Sequence, residues 1–369
     1  MTKLKTFIKN EIVLIISFVL ALISAFIVTP NAGYIDYIDF RTLALLLCLM
    51  AVMAGLNGLG VFRFLASKLL SLATTTRSLT LWLCMLCFFS SMIITNDVAL
   101  ITFVPFSIVA LKLSKQEKLL IPLITLETVA ANLGSMLTPV GNPQNLYLFS
   151  AFNMTIADFF ITVLPYAALS LVLLIVSAFF IKEENISVAS SEQSEKINYK
   201  FCSVYAVLFT LSILTVFRVI PYGITLAISV AAILIFDRKA LAKADYSLLL
   251  TFILLFIFIG NLKNIAPVSD FLSKTVKENE VAVGIAASQI FSNVPAAILL
   301  SGFTDNIKEL LIGVNLGGLG TLIASMASLI SFKLIAKENI SSGKYILTFT
   351  AVNVVFLVLN VALWLVIRN

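Results

Sequence analysis

The stretch ETVAANLGSMLTPVGNPQN, residues 127 to 145, places polar and helix-breaking residues between strongly apolar flanks. It holds one glutamate, three asparagines, two glycines and two prolines. Proline removes a backbone donor and glycine weakens a helix, so a continuous helix is not expected here. A second stretch, VNLGGLGTLIASMAS at residues 314 to 328, shares the pattern N-L-G-x-x-x-T with the first. The sequence therefore predicts two helices that unwind midway.

The composition around these stretches is that of a membrane protein. Of 369 residues, 60% are apolar and 12% charged, and the mean hydropathy is +1.07. The apolar runs, roughly 16 to 24 residues each, suit helices crossing a bilayer core rather than the alternation of a barrel. The first run, 11–28, follows three lysines as in a signal peptide, but it is long and no A-x-A-like site follows. An all-α polytopic membrane protein with a retained first helix is expected.

The distribution of basic residues predicts the orientation. Eighteen of the 25 Lys and Arg residues fall on one side if the N-terminus is cytoplasmic, as expected when positive loops stay inside. The C-terminus would then be external, in a bacterial-type inner (cytoplasmic) membrane. The crossings in this arrangement lie near 11–29, 40–60, 119–150, 157–181, 200–219, 222–236, 246–262, 308–332 and 345–367.

The chain divides into two similar halves. Repeat 1, residues 1–181, contains a hairpin at 78–113 and a broken helix at 119–150; repeat 2, residues 200–369, contains a hairpin at 280–303 and a broken helix at 308–332. A polar segment, 182–199, is expected to be a solvated cytoplasmic linker. The halves enter the membrane from opposite sides, which predicts an inverted repeat with its binding sites near the bilayer midplane.

Each hairpin is predicted to be re-entrant. The apolar run 79–111 is too long for one crossing and short for two, since two would need about 40 residues. Its middle holds Thr95, Asn96 and Asp97, and the shorter second run is interrupted at Ser292 and Asn293. Irregular backbone at that depth requires protein or a water-filled cavity around it, so the two tips should line a shared polar cavity.

The chemistry expected at these breaks is reversible binding of small solutes and ions. Unwinding frees carbonyls that can coordinate a cation, and a half-helix N-terminus favours an anion. The predicted substrate-binding residues are Thr95, Asn96, Asn142, Asn145, Ser292, Asn293, Thr321 and Ser325. The predicted ion-coupling residues are Asp97, Glu127, Asn132, Thr138, Gly141, Asn315, Gly317 and Gly318, with a Na⁺ site expected at Asn96, Asn132, Asn293 and Asn315. The alternative is that these side chains only join helices, at about 0.6 to 2 kcal/mol per hydrogen bond.

Three charged residues need separate interpretations. The chain has no histidine, so carboxylates are the side chains expected to carry a proton. Asp97 is the first candidate for proton or sodium coupling. Glu127 fits coupling and a structural hydrogen bond to a hairpin equally well. Lys263 either faces a substrate or, more commonly for a helix-end lysine, extends to the membrane surface.

The motifs TPVGNPQN after NLGS, NLGGLGTLIAS, TNDVALITFVP and SNVPAAILL together resemble the ion transporter superfamily. This group includes arsenite permeases, D-type bacterial sodium/proton antiporters, melanosomal P-protein relatives and the citrate transporter-like divalent anion/sodium symporters. The resemblance implies a scaffold, a transport domain built from hairpins and broken helices, elevator-type motion and a homodimer. Asn142 departs from the P-protein pattern, which has aspartate there, so the resemblance shifts cation coupling to Asp97.

We therefore expect an ion-coupled secondary transporter of a small anion, namely a dicarboxylate, an inorganic anion or an arsenite-like oxyacid. The alternative is a Na⁺/H⁺ antiporter in which Asp97 alternates between the two ions. Neither an enzyme nor a nucleic-acid-binding protein is expected, since no nucleophile and base stand out together. No resident cofactor is expected beyond a coupling Na⁺ or H⁺, and the partners are the solute and the lipid bilayer.

Overall fold

The computed structural model describes residues 11–64, 73–186, 198–338 and 340–368, and these form an assembly of helices without a β-strand. The first half contains α1 Ile12–Ile27, α2 Phe40–Gly58, α3 Thr76–Ile94, α4 Asn96–Leu113, α5 Leu120–Ser135, α6 Pro143–Ala151 and α7 Ile156–Phe179. The second half contains α8 Tyr199–Val216, α9 Tyr222–Phe236, α10 Arg238–Ala242, α11 Tyr246–Lys263, α12 Ala266–Val276, α13 Glu280–Phe291, α14 Asn293–Ser301, α15 Ile307–Leu316, α16 Met326–Ile335 and α17 Ser342–Arg368.

Seven of these helices are long and apolar enough to cross a membrane: α2, α3, α4, α7, α8, α11 and α17. Apolar side chains also cover much of the outer surface of these and the neighbouring helices. Phe26, Ile161 and Val366, for example, are 81%, 73% and 74% exposed. Such a surface is stable in lipid and not in water. The prediction of an all-helical polytopic membrane protein is confirmed.

Helices α2 and α11 begin with the same local structure in the two halves. Asp39 accepts a hydrogen bond from the Thr42 amide at 3.0 Å, and Asp245 accepts one from the Leu248 amide at 2.9 Å. Both aspartates have φ −80° and ψ 86°. Aspartate at this position satisfies an amide that would otherwise lack a partner, which fixes where each helix starts.

Both helical hairpins turn at one residue with positive φ. Thr95 joins α3 to α4 at φ 70°, and Ser292 joins α13 to α14 at φ 73°. The arms differ between the hairpins: α3 and α4 have 19 and 18 residues, whereas α13 and α14 have 12 and 9. The two arms of the first hairpin are each long and apolar enough to cross a membrane. That these hairpins are re-entrant stays a prediction.

The chain also leaves helical geometry within both stretches that opened the sequence analysis. Helix α5 ends at Ser135 and α6 begins at Pro143, while α15 ends at Leu316 and α16 begins at Met326. The second interruption contains a 3₁₀ turn, Leu322–Ala324. We refer to these interruptions as the first and second break.

The helices pack in two groups. Helix α5 is almost completely buried and packs against α3, α4, α7, α16 and α17. The same group includes α15, which contacts α7 and packs against α13 and α14 of the second hairpin. In the other group, α2 packs against α8, α9 and α10, and α1 packs against α11. Contacts of α2 with α6 and of α11 with α14 connect the groups.

The start of the connector between the halves is hydrogen-bonded to the start of the first hairpin. The Thr76 amide donates to the Glu184 carbonyl at 2.9 Å, and the Ile186 amide donates to the Thr74 carbonyl at 3.0 Å. Lys118 forms an ion pair with the Glu184 carboxylate at 2.7 Å. These contacts hold residues 183–186 beside the start of α3; residues 187–197 lie outside the described part of the chain.

Candidate functional site

A cavity of about 650 Å³ lies between α2, α4, α6 and the start of α11. Of the predicted site residues, Thr95, Asp97 and Asn142 line it. The first hairpin and the first break therefore open onto one space. The sequence predicted that both hairpin tips would line a shared cavity, but the second tip, Ser292 and Asn293, does not line this one. The cavity wall also carries five polar or charged residues that the sequence analysis did not nominate: Asn57, Arg63, Thr102, Lys243 and Asp245.

Asp97 holds a carboxylate oxygen without a protein partner in this cavity. Its backbone amide donates to Asn96 Oδ1 at 3.0 Å, which orients the tip. Its own Oδ1 is buried, and no donor among the described residues reaches it. An unpaired buried carboxylate oxygen is unfavourable unless a proton, a cation or water occupies it. This geometry suits a residue that binds a coupling ion.

Asn132, in the last turn of α5, joins the first hairpin to the second break. Asn96 Nδ2 donates to Asn132 Oδ1 at 3.1 Å, and Ser325 Oγ donates to the same oxygen at 3.0 Å. Asn132 Nδ2 donates to Ser328 Oγ at 3.4 Å. All four side chains are buried. One asparagine thus connects elements far apart in the sequence.

Asn315, in the last turn of α15, makes the corresponding contacts with the first break. Asn142 Nδ2 donates to Asn315 Oδ1 at 3.2 Å, and Asn315 Nδ2 donates to Asn145 Oδ1 at 2.7 Å. Asn142 Nδ2 also lies 3.2 Å from Ser135 Oγ. All of these side chains are buried as well.

The two sets of contacts are reciprocal. The shared N-L-G-x-x-x-T pattern aligns Asn132 with Asn315, and without a gap it aligns Asn142 with Ser325 and Asn145 with Ser328. Each aligned asparagine therefore binds the two aligned positions of the opposite break. A pair of elements related by a two-fold axis makes contacts of this kind.

The tip of each hairpin contacts one of the breaks. The first tip does so through a backbone hydrogen bond, and the second through a close approach to a glycine. The Asn96 amide donates to the Gly141 carbonyl at 3.1 Å. At the other tip, a Cβ on Gly318 would lie 2.9 Å from Asn293 Nδ2, so glycine permits the close approach. Ser292 and Asn293 are buried beside the second break and do not line the 650 Å³ cavity.

The carbonyls released by unwinding are largely bound by side-chain amides. Asn145 Nδ2 lies 3.1 Å from the carbonyl oxygens of Met136 and Thr138. Gln289 Nε2 donates to the carbonyls of Gly317 and Leu319, each at 2.9 Å. The sequence analysis noted that carbonyls freed in this way can coordinate a cation, and that stays a prediction. In this conformation protein amides stabilise them.

The remaining predicted residues lie away from the cavity. Thr138 Oγ1 donates to the Met92 carbonyl of the first hairpin, and Thr321 is exposed with its amide bound to Gln289 at 3.0 Å. A Cβ on Gly317 would lie 2.5 Å from Ser288 Oγ. Glu127 is fully buried, and Ser107 donates to its Oε1. That contact with α4 fits the structural role, but Glu127 Oε2, like Asp97 Oδ1, has no donor among the described residues. The choice between the two roles stays a prediction.

Sequence reasoning missed Ser328, Gln289 and the two cavity cations, Arg63 and Lys243. Ser328 carried a usable signal, because the repeat aligns it with the nominated Asn145. Gln289, three residues before the second hairpin turn, is the only glutamine in α13. Arg63 and Lys243 looked like ordinary cytoplasmic loop residues, and no local pattern distinguishes them.

Comparisons with known proteins agree with this architecture. A family described as "Citrate transporter" matches residues 6–308 of the chain. The "Uncharacterized transporter MJ0456" of Methanocaldococcus jannaschii is 33% identical over 302 residues, covering 81% of this chain and 83% of that protein. The "Inner membrane protein YbiR" of Escherichia coli is 30% identical over 286 residues, covering 74% of each chain. The resemblance to the ion transporter superfamily is confirmed.

Proposed function

Because the chain belongs to the citrate transporter family, we propose that this membrane transporter is an ion-coupled secondary transporter of a small anion. The candidate solutes are dicarboxylates, inorganic anions and arsenite-like oxyacids. Asn96 and Asn142, together with Asn293 and Ser325 of the second half, would bind the solute. Asp97 would bind the coupling Na⁺ or H⁺. The protein would lie in the inner membrane, as the name of the Escherichia coli relative suggests, with the N-terminus cytoplasmic and the C-terminus external.

The observation that carries the proposal is the reciprocal hydrogen bonding of the two breaks. Asn132 and Asn315 each bind two side chains of the opposite half, within a region buried from both lipid and solvent. Such contacts support an inverted repeat with its site where the halves meet. A helical bundle without a binding site would not need two irregular segments that hydrogen-bond to each other.

The packing of the helices in two groups supports elevator-type motion. The group around α5 includes both hairpins and both breaks, which contact one another. It would therefore move as the transport domain. The group around α2 and α11 would remain as the scaffold, and in the proposed homodimer it would form the interface. Thr102 Oγ1 of α4 lies 3.2 Å from Asn57 Oδ1 of α2, a polar contact between the groups that would change during transport.

Uptake by the purified protein in liposomes tests the proposal. We would offer citrate, succinate, sulfate, phosphate and arsenite, with and without a Na⁺ or a proton gradient. Asn96→Ala and Asn293→Ala remove matched amides at the two hairpin tips and should each reduce uptake at least about tenfold, since one lost hydrogen bond to a charged group corresponds to about 1.5 to 3 kcal/mol. Asn360→Ala, a buried asparagine of α17 outside both breaks, controls for folding. Unchanged uptake in both tip variants would disprove the site.

A Na⁺/H⁺ antiporter is the second candidate function, favoured by the unpaired Asp97 oxygen. In that case Na⁺ alone should move protons. A pH-sensitive dye inside liposomes distinguishes the two functions: a proton flux on adding Na⁺ without any anionic solute supports the antiporter, whereas a flux that requires the solute supports anion transport.

A further inference from the structure

Helix α11 lines a cavity at each of its ends. Leu248, in its first turn, lines the 650 Å³ cavity that contains Asp97. Ile259 and Lys263, in its last turns, line a second cavity of about 380 Å³. Lys263 also borders an adjoining cavity of about 640 Å³. Both ends of one scaffold helix therefore face open space.

A block of aromatic side chains separates the two ends. Tyr147 of α6 hydrogen-bonds to Ser301 of α14 at 2.9 Å. Its ring packs against Phe252 and Phe256 of α11, with centroids 6.3 and 5.5 Å away. Tyr147 lines the 380 Å³ cavity, whereas its neighbour Leu146 lines the 650 Å³ cavity. The cavities are thus two entrances to the region of the first break, with Tyr147 between them.

Each entrance has a lysine at an end of α11. Lys243, two residues before the Asp245 cap, lines the 650 Å³ cavity, and Lys263 is the last residue of the helix. Lys263 Cε lies 2.9 Å from where a Cβ on Gly302 would be, so its stem lies against the end of the second hairpin. In the described part of the chain, neither ammonium forms an ion pair with a carboxylate.

Several carboxylates at the same entrances already accept hydrogen bonds from protein donors. Glu280 accepts from Thr304 at 2.7 Å, and Glu309 accepts from Trp364 Nε1 at 2.7 Å. Asp245 accepts from the Leu248 amide at the start of α11. The lysine ammonium groups, in contrast, are exposed at the cavity walls. A small anion entering from either end would therefore meet a lysine on the cavity wall.

We propose that Lys243 and Lys263 are the solute-recognition cations of the two entrances, each acting on one side of the membrane only. This inference rests on the proposed anion transport and adds residues that determine affinity from each side. A cation at the rim of a cavity raises the local concentration of an anion and its rate of entry, and salt weakens the effect. Lys263 ends α11 and Lys243 directly follows α10, and both helices belong to the proposed scaffold group, so the moving domain would leave the two lysines behind.

The test measures affinity separately from the two sides. Right-side-out and inside-out membrane vesicles from the same expressing cells would be offered whichever of citrate, succinate, sulfate or phosphate the wild type transports. Lys243→Gln should raise KM about three- to tenfold in one vesicle orientation, and Lys263→Gln should do so in the other, with kcat unchanged. Lysine-to-arginine variants should restore KM, and added salt should reduce each difference.

Lys239→Gln and Lys274→Gln are the matched controls, since both lysines are exposed near α11 and line none of the three cavities. The inference is overturned if Lys243→Gln and Lys263→Gln leave KM unchanged, raise it equally from both sides, or match the controls. Those results, with normal wild-type transport, leave the proposed function intact. If the wild type transports neither these anions nor arsenite, the proposed function fails and this inference fails with it.

Discussion

Thr95 and Ser292 occupy a backbone region that side chains with a Cβ seldom adopt. Their angles are φ 70°, ψ 152° and φ 73°, ψ 154°. Such a conformation costs about 1 to 3 kcal/mol for a residue other than glycine. Glycine would remove this strain. The presence of a hydroxyl residue at both tips therefore indicates that the protein depends on the hydroxyl group or on the rigidity of the turn.

Replacing Thr95 by glycine and by alanine separates strain from the hydroxyl. Both variants lose the hydroxyl, but only glycine relieves the backbone. We expect Thr95→Gly to be more stable than Thr95→Ala by about 1 to 2 kcal/mol, measured as thermal or denaturant unfolding in detergent. At Thr210, an exposed position inside α8, the order should reverse, with glycine less stable than alanine by about 0.5 to 1 kcal/mol. The same order at both positions would contradict the strain assignment.

At the scale of helices, close packing of α5 on α3 depends on one glycine. A Cβ at Gly134 would lie 2.1 Å from the Phe88 carbonyl oxygen, a backbone atom that cannot rotate away. Gly134→Ala should therefore destabilise the protein by about 1 to 3 kcal/mol through overpacking. Gly223→Ala in α9, where nothing lies within 4 Å of the added carbon, should not destabilise it. Melting temperatures in detergent test both, and an equal loss in the two variants would contradict the packing argument.

The pairing of the connector with the first hairpin should depend on acid pH. Hydrogen bonds from Lys118 and then Gln116 lower the pKa of Glu184 to about 2, from an ordinary value of 4.5. A carboxyl whose folded-state pKa is lowered stabilises the fold above its unfolded pKa, and the stabilisation is lost as pH falls from 4.5 towards 2. Glu184→Gln should make the melting temperature less dependent on pH in that window. An unchanged pH profile between wild type and variant would show that the pairing contributes no stability.

The sequence could predict the starts of α2 and α11 and the two breaks because the signals for them are local. Asp39 and Asp245 mark helix starts, and glycine and proline mark the two breaks, so the helix boundaries follow from residues a few positions apart. The partners of Asn132 and Asn315 could not be predicted, since they depend on how distant segments pack. The sequence identified Asp97 as a candidate but gave no indication of Lys243, which lines the same cavity only because distant segments pack together.

At the scale of the whole molecule, the charges lining the 650 Å³ cavity balance. Arg63 and Lys243 are positive, and Asp97 and Asp245 are negative. Binding of a proton or Na⁺ at Asp97 would leave the lining with one net positive charge, in surroundings less polar than water where such a charge acts strongly. An anion would then bind more tightly once the coupling ion is bound. The fold brings these charges together from three separate segments, since Lys243 and Asp245 are two residues apart.

Asp97→Asn imitates the ion-bound state and tests this coupling. The variant should bind the anion without the coupling ion, with an affinity about tenfold higher than the ion-free wild type, because a unit charge at cavity distances contributes more than about 1.4 kcal/mol. Solute exchange should persist, while accumulation driven by an ion gradient should be lost. Asp245→Asn makes the same change in net charge at a helix cap that asparagine also satisfies. Its transport should remain dependent on the ion, so loss of ion dependence in both variants, or in neither, would contradict Asp97 as the coupling residue.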